Sequence, residues 1–217
     1  MARALKDIVL IGGGGHCRVL IDACRACGYR PVGVLDPNLV VGGFIMGVEV
    51  LGGERLASGI ENAHFECQYA AVAVAGNLQL RYKLVQEAEL AGFLLPMIAN
   101  NPLYVSSSSV IGEGVAILPG CIVNAEAVIG RHVTLNTSCV VEHGARVGEY
   151  SHIAPNATLL GESAVGDFCT IGSGSVVLPG VSIGNRCTVG AGSVVLRDVQ
   201  DGCTVVGNPA RVIRGSL

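Results

Sequence analysis

Tryptophan is absent from this chain, and only 4% of its 217 residues are aromatic, yet half are hydrophobic. A core without large rings must be filled by Val, Ile, Leu, Ala and Cys, which suits a narrow, repetitive interior better than a bulky one. Charge is scarce as well: 14% of residues, for a net charge of −3, supply no electrostatic grip on nucleic acid. No apolar run reaches the roughly 18–20 residues of a membrane span, so no membrane insertion is expected. The opening MARALKDIVLIGGGGH carries an apolar stretch too short for a signal sequence. The expected compartment is the cytoplasm, where the nine cysteines stay reduced. Cys24 and Cys27 make one CxxC with no second pair. Buried positions of a helix account for them, a metal or redox pair being the alternative.

Glycine, by contrast, is abundant at 31 residues, and the second half of the chain places it in a period of six. From Val105 to Val195 every sixth residue is aliphatic, sixteen positions without exception or insertion. Four residues after each comes a small one, from Ser109 through Cys121, Cys139, Cys169 and Cys187 to Val199. Gly or Asn often follows the aliphatic residue, as at Gly112, Gly130, Asn136, Gly148, Gly166 and Gly184, types that tolerate the left-handed backbone of a tight corner. One inward aliphatic, one inward small residue and one corner make a side of a triangular coil, and such a period signals a parallel β-helix. These units resemble the hexapeptide repeats of left-handed β-helix acyltransferases, in which three units make one coil. At about 4.8 Å between strands, a little over five coils stand roughly 25 Å tall.

In this register His143 is the third residue of its unit, His132 the fourth and His152 the sixth, so none takes an inward slot. His132, between Arg131 and Val133, is expected to be a solvated surface residue. His143 has Gly161 eighteen residues on, one coil away on the same side, and Asn136 one corner back. An outward imidazole beside a residue without a side chain pairs a general base with an exposed backbone N–H. Acyl transfer to an amine or hydroxyl needs that pair. Glu142 is adjacent in sequence but points to the opposite face of a strand, and orients His143 only if the corner turns it outward.

The first hundred residues differ in kind. DIVLIGGGGH is a strand turning on glycines into the amphipathic helix CRVLIDACRACGY; PVGVLDPN is a second strand ending at Asp36. YAAVAVAGN is a third, followed by a helix through LQLRYKLVQEAELAG. The alternation predicts a small parallel sheet with helices, a Rossmann-like half with its ligand crevice at the strand C-termini. The GGGG loop at a helix N-terminus is suited to phosphate, and Asp36 lies at a distance suited to a ribose or base. The GxGxxG spacing fails at Cys17, which favours a nucleotide without redox chemistry. Two domains are expected, 1–100 for a nucleotide-sugar and 101–217 for acetyl transfer.

Across both domains the chain resembles the bacterial sialic acid O-acetyltransferase and nucleotide-linked aminosugar N-acetyltransferase family. The likeness rests on the GGGGH loop, Asp36, AVAGN with Arg81, and NTSCVVEH, and on the tail GNPARVI, which matches the G-x-P-A-x-x-I ending of hexapeptide acyltransferases. It implies that His143 is the catalytic base, with Asn136 nearby, and that the Gly161 N–H and His152 lie at the acetyl thioester. Pro179, Arg197, Asn208, Pro209 and Arg211 would border coenzyme A, with Arg214 beside them, although solvated surface arginines read the same way. Gly12, Gly13, Gly14, Gly15, His16, Asp36, Gly76, Asn77 and Arg81 would line the nucleotide-sugar site. Some members carry an acidic residue directly after the histidine; here that residue is Gly144, which leaves Glu142 as a candidate partner. The implied activity is acetyl-CoA-dependent acetylation of the 4-amino group of a nucleotide-diphosphate deoxyaminosugar, without a metal, in a homotrimer with sites between subunits. The alternatives are O-acetylation of sialic acid or its CMP conjugate, and a non-catalytic scaffold.

Overall fold

The computed structural model describes residues 5–53, 67–99 and 103–215. The boundary expected at residues 100 and 101 involves residue positions outside that set. The chain divides into two compact units, Met1–Ile98 and Ala99–Leu217.

The first unit is built on a five-stranded sheet. Strand β1 (Lys6–Ile11) leads through α1 (Gly15–Ala26) to β2 (Tyr29–Leu35); β3 (Phe44–Ile45), β4 (Val48–Gly52) and β5 (Tyr69–Val72) follow, then α2 (Leu78–Leu90). The order is β3-β4-β2-β1-β5, with β1 parallel to both β2 and β5 and β4 parallel to β2. The antiparallel hairpin of β3 and β4 was not foreseen; it turns on Met46 and Gly47, both at positive φ. Helix α1 buries Cys17, Leu20, Ile21 and Cys24 at helical spacing and stops where Gly28 takes φ +82°. The thiols of Cys17 and Cys24 are pushed up to about 11 and about 12 by burial, so both are inert packing groups at neutral pH. Asn77 caps α2, its side chain accepting from the Leu80 N–H at 3.0 Å.

The second unit is the prism. Two-residue strands recur every six residues and pair in parallel with the strand eighteen residues on, as Thr134–Leu135 with His152–Ile153. Its three sides hold ladders of six, five and eight strands, the last closed by the antiparallel strand Arg211–Arg214. The inward aliphatics stack in columns such as Ile117, Leu135, Ile153, Ile171 and Val189, all nearly or fully buried. Each contributes roughly 1.5–3 kcal/mol by leaving water. The small slot holds Cys121, Cys139, Cys169 and Cys187 in the core as expected, with the Cys121 and Cys139 sulfurs 3.5 Å apart.

Two expectations are corrected. The left-handed residue of each corner is the third after the aliphatic one, not the first: Gly114, Gly120, Glu126, His132, Ser138, Gly144, Tyr150, Asn156, Glu162, Phe168, Gly174, Gly180, Arg186 and Gly192 have positive φ. Gly112, Gly130, Gly148, Gly166 and Gly184 serve another purpose. A Cβ on Gly130 would meet the Glu149 backbone nitrogen of the next coil at 2.8 Å, so close coil-to-coil approach excludes a side chain there. The final coil is also two residues short. Ile183 bridges Val199 and Thr188 pairs Thr204, sixteen residues apart, so Val199 occupies an aliphatic place and not a small one.

Candidate active site

Counting in steps of eighteen, His143, Gly161, Pro179 and Arg197 occupy the same place on successive coils along one corner of the prism. Backbone bonds bind that corner together: the Glu162 N–H donates to the His143 carbonyl at 2.9 Å, and the Gly180 N–H to the Gly161 carbonyl at 3.0 Å. The His143 side chain is exposed, while Gly161 is buried beneath it. A Cβ on Gly161 would lie 2.5 Å from His143 Cε1 and 2.6 Å from Nε2. The imidazole therefore rests on the bare Cα of Gly161. Among the described residues the Gly161 N–H has no acceptor. An N–H without an acceptor in the protein is free to donate to a bound group. A carbonyl oxygen that turns negative would supply the missing acceptor.

Glu142 does not reach the imidazole. Its Oε2 accepts from the His143 backbone N–H at 3.2 Å, so it fixes the main chain of the corner. Nor is Asn136 joined to His143. Its Nδ2 lies 3.2 Å from His152 Nε2, and its Oδ1 accepts from the Thr137 N–H at 2.8 Å. With the amide nitrogen as donor, His152 Nε2 is an acceptor and the neutral ring carries its proton on Nδ1. His152 is only 9% exposed, between the paired residues Thr134 and Thr170, although its place in the unit is an outward one.

His132 departs further from expectation. It is 4% exposed, stacked on Tyr150 at 5.0 Å between centroids, and Tyr150 stacks on Phe168 at 5.1 Å. The solvated reading is wrong because residues eighteen apart at a corner pile into a column. A side chain on Gly114, the preceding member, would strike the His132 ring. The column was legible from the spacing, had the fourth residue of each unit been followed from coil to coil.

Pro179, Arg197, Asn208, Pro209, Arg211 and Arg214 are all exposed. Asn208 and Pro209 sit in the turn before the closing strand, and Arg211 Nη1 donates to the Ala210 carbonyl at 2.9 Å.

In the first unit the glycine loop leaves β1 at the strand C-terminal edge, where β2 lies on one side of β1 and β5 on the other, the switch point at which open α/β sheets hold ligands. Gly12 has φ +102°, which favours glycine, and a Cβ on Gly13 would displace the end of the Leu39 side chain. Gly14, Gly15 and Gly76 face open space. Asp36 organises the loop: Oδ2 accepts from the Gly13 N–H at 2.7 Å and Oδ1 from the Asn38 N–H at 2.8 Å. Burial first, and then the charge of Arg81, lower His16 to about 4, so its ring is neutral at pH 7. Arg81 is 3% exposed and reaches the Ala75 carbonyl at 3.4 Å. Asn77 is placed as the cap of α2. The pairing of His16 with Arg81 carried no signal in the sequence, because 64 residues of unrelated pattern lie between them.

The repeat, its ladders and its corner define the second unit as a left-handed β-helix transferase of the hexapeptide type. The bacterial transferase hexapeptide (six repeats) model matches residues 126–161 and 163–197, and the PglD N-terminal domain model residues 7–88. A histidine variant of perosamine N-acetyltransferase from Caulobacter crescentus, solved with CoA and GDP-perosamine, is 36% identical, with 98% of this chain and 99% of that one covered and a TM-score of 0.90. The acetyltransferase domain of PglB from Neisseria gonorrhoeae is 32% identical over 96% of this chain and 100% of that one, with a TM-score of 0.88. WeeI from Acinetobacter baumannii is 26% identical over 96% and 100%, with a TM-score of 0.87. No curated protein sequence matches. With that identity over nearly the whole length of both chains, this protein belongs to the nucleotide-aminosugar acetyltransferase family.

Proposed function

We propose that the protein transfers the acetyl group of acetyl-CoA to the 4-amino group of a nucleotide-diphosphate-linked deoxyaminosugar. The observation that carries the reading is the imidazole of His143 lying on Gly161, whose N–H lacks an acceptor among the described residues. As the sugar nitrogen bonds to the acetyl carbonyl carbon, His143 accepts its proton, and the Gly161 N–H donates to the oxygen that becomes negative. Collapse of the tetrahedral centre breaks the C–S bond, and the imidazolium returns its proton to the departing thiolate. The Asn136–His152 pair is assigned to the acetyl end of the thioester, Glu142 to holding the backbone of the catalytic corner. Pro179, Arg197, Asn208, Pro209 and Arg211 are assigned to coenzyme A. Gly13, Gly14, Gly15, His16, Asp36, Gly76, Asn77 and Arg81 are assigned to the nucleotide-sugar, with the loop N–H groups on its phosphates and Asp36 holding the loop open to them. The domain from residue 101 onward carries the chemistry, and the domain before it the acceptor.

The working form is taken to be a homotrimer. Beside the catalytic corner, the outward places of one side read Tyr104, Ile122, Val140, Thr158, Val176 and Val194, a nearly apolar row. Tyr104 is 56% exposed in the single chain, and a neighbouring prism would both cover such a row and give an outward site its walls. A cytoplasmic location fits nine free cysteines and the sugar-nucleotide substrate. Among the described residues no helix is long and apolar enough to cross a membrane.

The test is release of free coenzyme A from acetyl-CoA by thiol titration, against GDP-, UDP- and dTDP-linked 4-aminosugars and free and CMP-linked sialic acid. GDP-linked acceptors come first, because the 36% identical Caulobacter structure holds GDP-perosamine. Turnover on an aminosugar, lost in His143→Ala, supports the proposal. Turnover only on sialic acids moves the reaction to O-acetylation, and failure to bind acetyl-CoA leaves a scaffold.

A further inference from the structure

A histidine that works as a general base needs an acceptor that holds its ring in one tautomer and stabilises the imidazolium it becomes. Among the described residues no side chain makes a hydrogen bond or ion pair with the His143 imidazole, and Glu142, its neighbour in sequence, is bonded to the main chain. Three carboxylates stand on the coils that meet at this corner: Glu126 on the preceding coil, Glu142 on the same one and Glu162 on the next. Arg197, further along the column, is the nearest cation in the register.

Glu162 is distinguished by two contacts. Its backbone N–H bonds the His143 carbonyl at 2.9 Å, and it directly follows Gly161, on which the ring lies. Its side chain then folds back toward the histidine's coil: a Cβ added to Gly144 would sit 3.3 Å from Glu162 Cγ. The aliphatic stem of Glu162 thus occupies the space beside the residue that follows His143, and a side chain at that residue would have to share it. Glu162 takes φ +59°, the left-handed conformation of its corner, and is exposed.

We propose that Glu162, reaching from the next coil across the bare Gly144, is the positioning residue for His143. The proposal rests on His143 being the base. A rotamer change of Glu162 lets its carboxylate accept the ring N–H opposite the nitrogen that takes the proton. Glu126 occupies the same place two coils before Glu162 and one before Gly144, on the side of His143 away from Gly161, and serves as the control.

The experiment is an NMR titration of protein labelled at its histidines, with the His143 signal assigned by His143→Gln. An adjacent carboxylate favours the charged ring, so Glu162→Gln should lower the His143 pKa by about 0.5 unit, a partly exposed pair being screened. Glu126→Gln should move it by less than about 0.2 unit. In turnover, Glu162→Gln should move the acid limb of kcat/KM down by the same amount and lower kcat about 3–10-fold with the KM for acetyl-CoA unchanged. Gly144→Asp combined with Glu162→Ala, which removes the stem in the way, should restore both. An unmoved His143 titration in Glu162→Gln, or an equal shift in Glu126→Gln, overturns the proposal. A shifted titration in a protein that acetylates none of the acceptors keeps the carboxylate–imidazole pair and removes the enzymatic reading instead.

Discussion

At the corner of the prism that carries Gly148, Gly166 and Gly184, the backbone N–H of the third residue of each unit is capped by a side chain of the coil that follows. The Glu149 N–H donates to Asp167 Oδ1 at 2.7 Å, Asp167 to Asn185 Oδ1 at 2.8 Å, and Asn185 to Asp201 Oδ1 at 2.9 Å. At the corner that carries His143, the equivalent Gly161 N–H has no acceptor among the described residues. The fourth residues differ in the same sense. Along the first corner His132, Tyr150 and Phe168 stack into a column; along the second Glu126, Gly144, Glu162 and Gly180 leave room. One six-residue unit thus serves two ends. Where side chains of successive coils cap and stack on one another, the corner holds the coils together. Where a donor is left without an acceptor among the described residues, the corner offers what the proposed reaction needs.

The sharpest way to break this comparison is to remove one ring from each corner. His143→Ala, at an exposed side chain, should cost about 10²–10⁴ in kcat and leave the melting temperature within a degree or two of wild type. His132→Ala, at a buried and stacked one, should do the reverse, lowering stability by about 2–4 kcal/mol while each folded molecule keeps its turnover. Equal losses of activity in the two variants would erase the division.

Glycines make the next pair. Gly161→Ala pushes a methyl into the imidazole, and displacing a base by about an ångström is worth roughly 10²-fold in kcat. Gly130→Ala instead presses the Glu149 backbone and should cost about 1–3 kcal/mol of stability, read from denaturant midpoints, with kcat retained.

Most of this architecture was legible beforehand, because an inward aliphatic every six residues admits few alternatives. The corners were harder. A glycine after the aliphatic residue suggests a positive φ, but at Gly112 and Gly166 it reports the approach of the next coil, a constraint visible only when residues eighteen apart are compared. The same comparison would have placed His132 in its column and Glu162 beside Gly144. Asp36 was legible as a site residue, whereas its two bonds to loop N–H groups depend on how β2 ends against the glycine turn. The short final coil is not legible in the sequence, since Val199 fits either an aliphatic or a small slot.

His16 tests the first unit in the same terms. Its folded pKa, about 4, lies below the ordinary 6.5, so between those values the unfolded chain takes up a proton that the folded one refuses. Stability should therefore fall as pH drops through 6.5 and level off below 4, by at most about 3 kcal/mol. In His16→Gln that part of the pH dependence should vanish from the melting curves, while the rest of the acid transition stays.

The smallest expected effect lies within the ladder of the glycine corner. Asp167 uses Oδ1 as an acceptor for Glu149 N–H, while its own N–H is capped by Asn185, so what the ladder requires of the side chain is an oxygen and not a charge. Asparagine supplies that oxygen, and Asn185 already fills the same role one coil on. Asp167→Asn should change stability by less than about 0.5 kcal/mol, and Asp167→Ala, which leaves the Glu149 N–H to water, by about 1 kcal/mol. A larger loss in the asparagine variant would mean that charge contributes to the corner, and the two corners would then differ in electrostatics as well as in what they leave open.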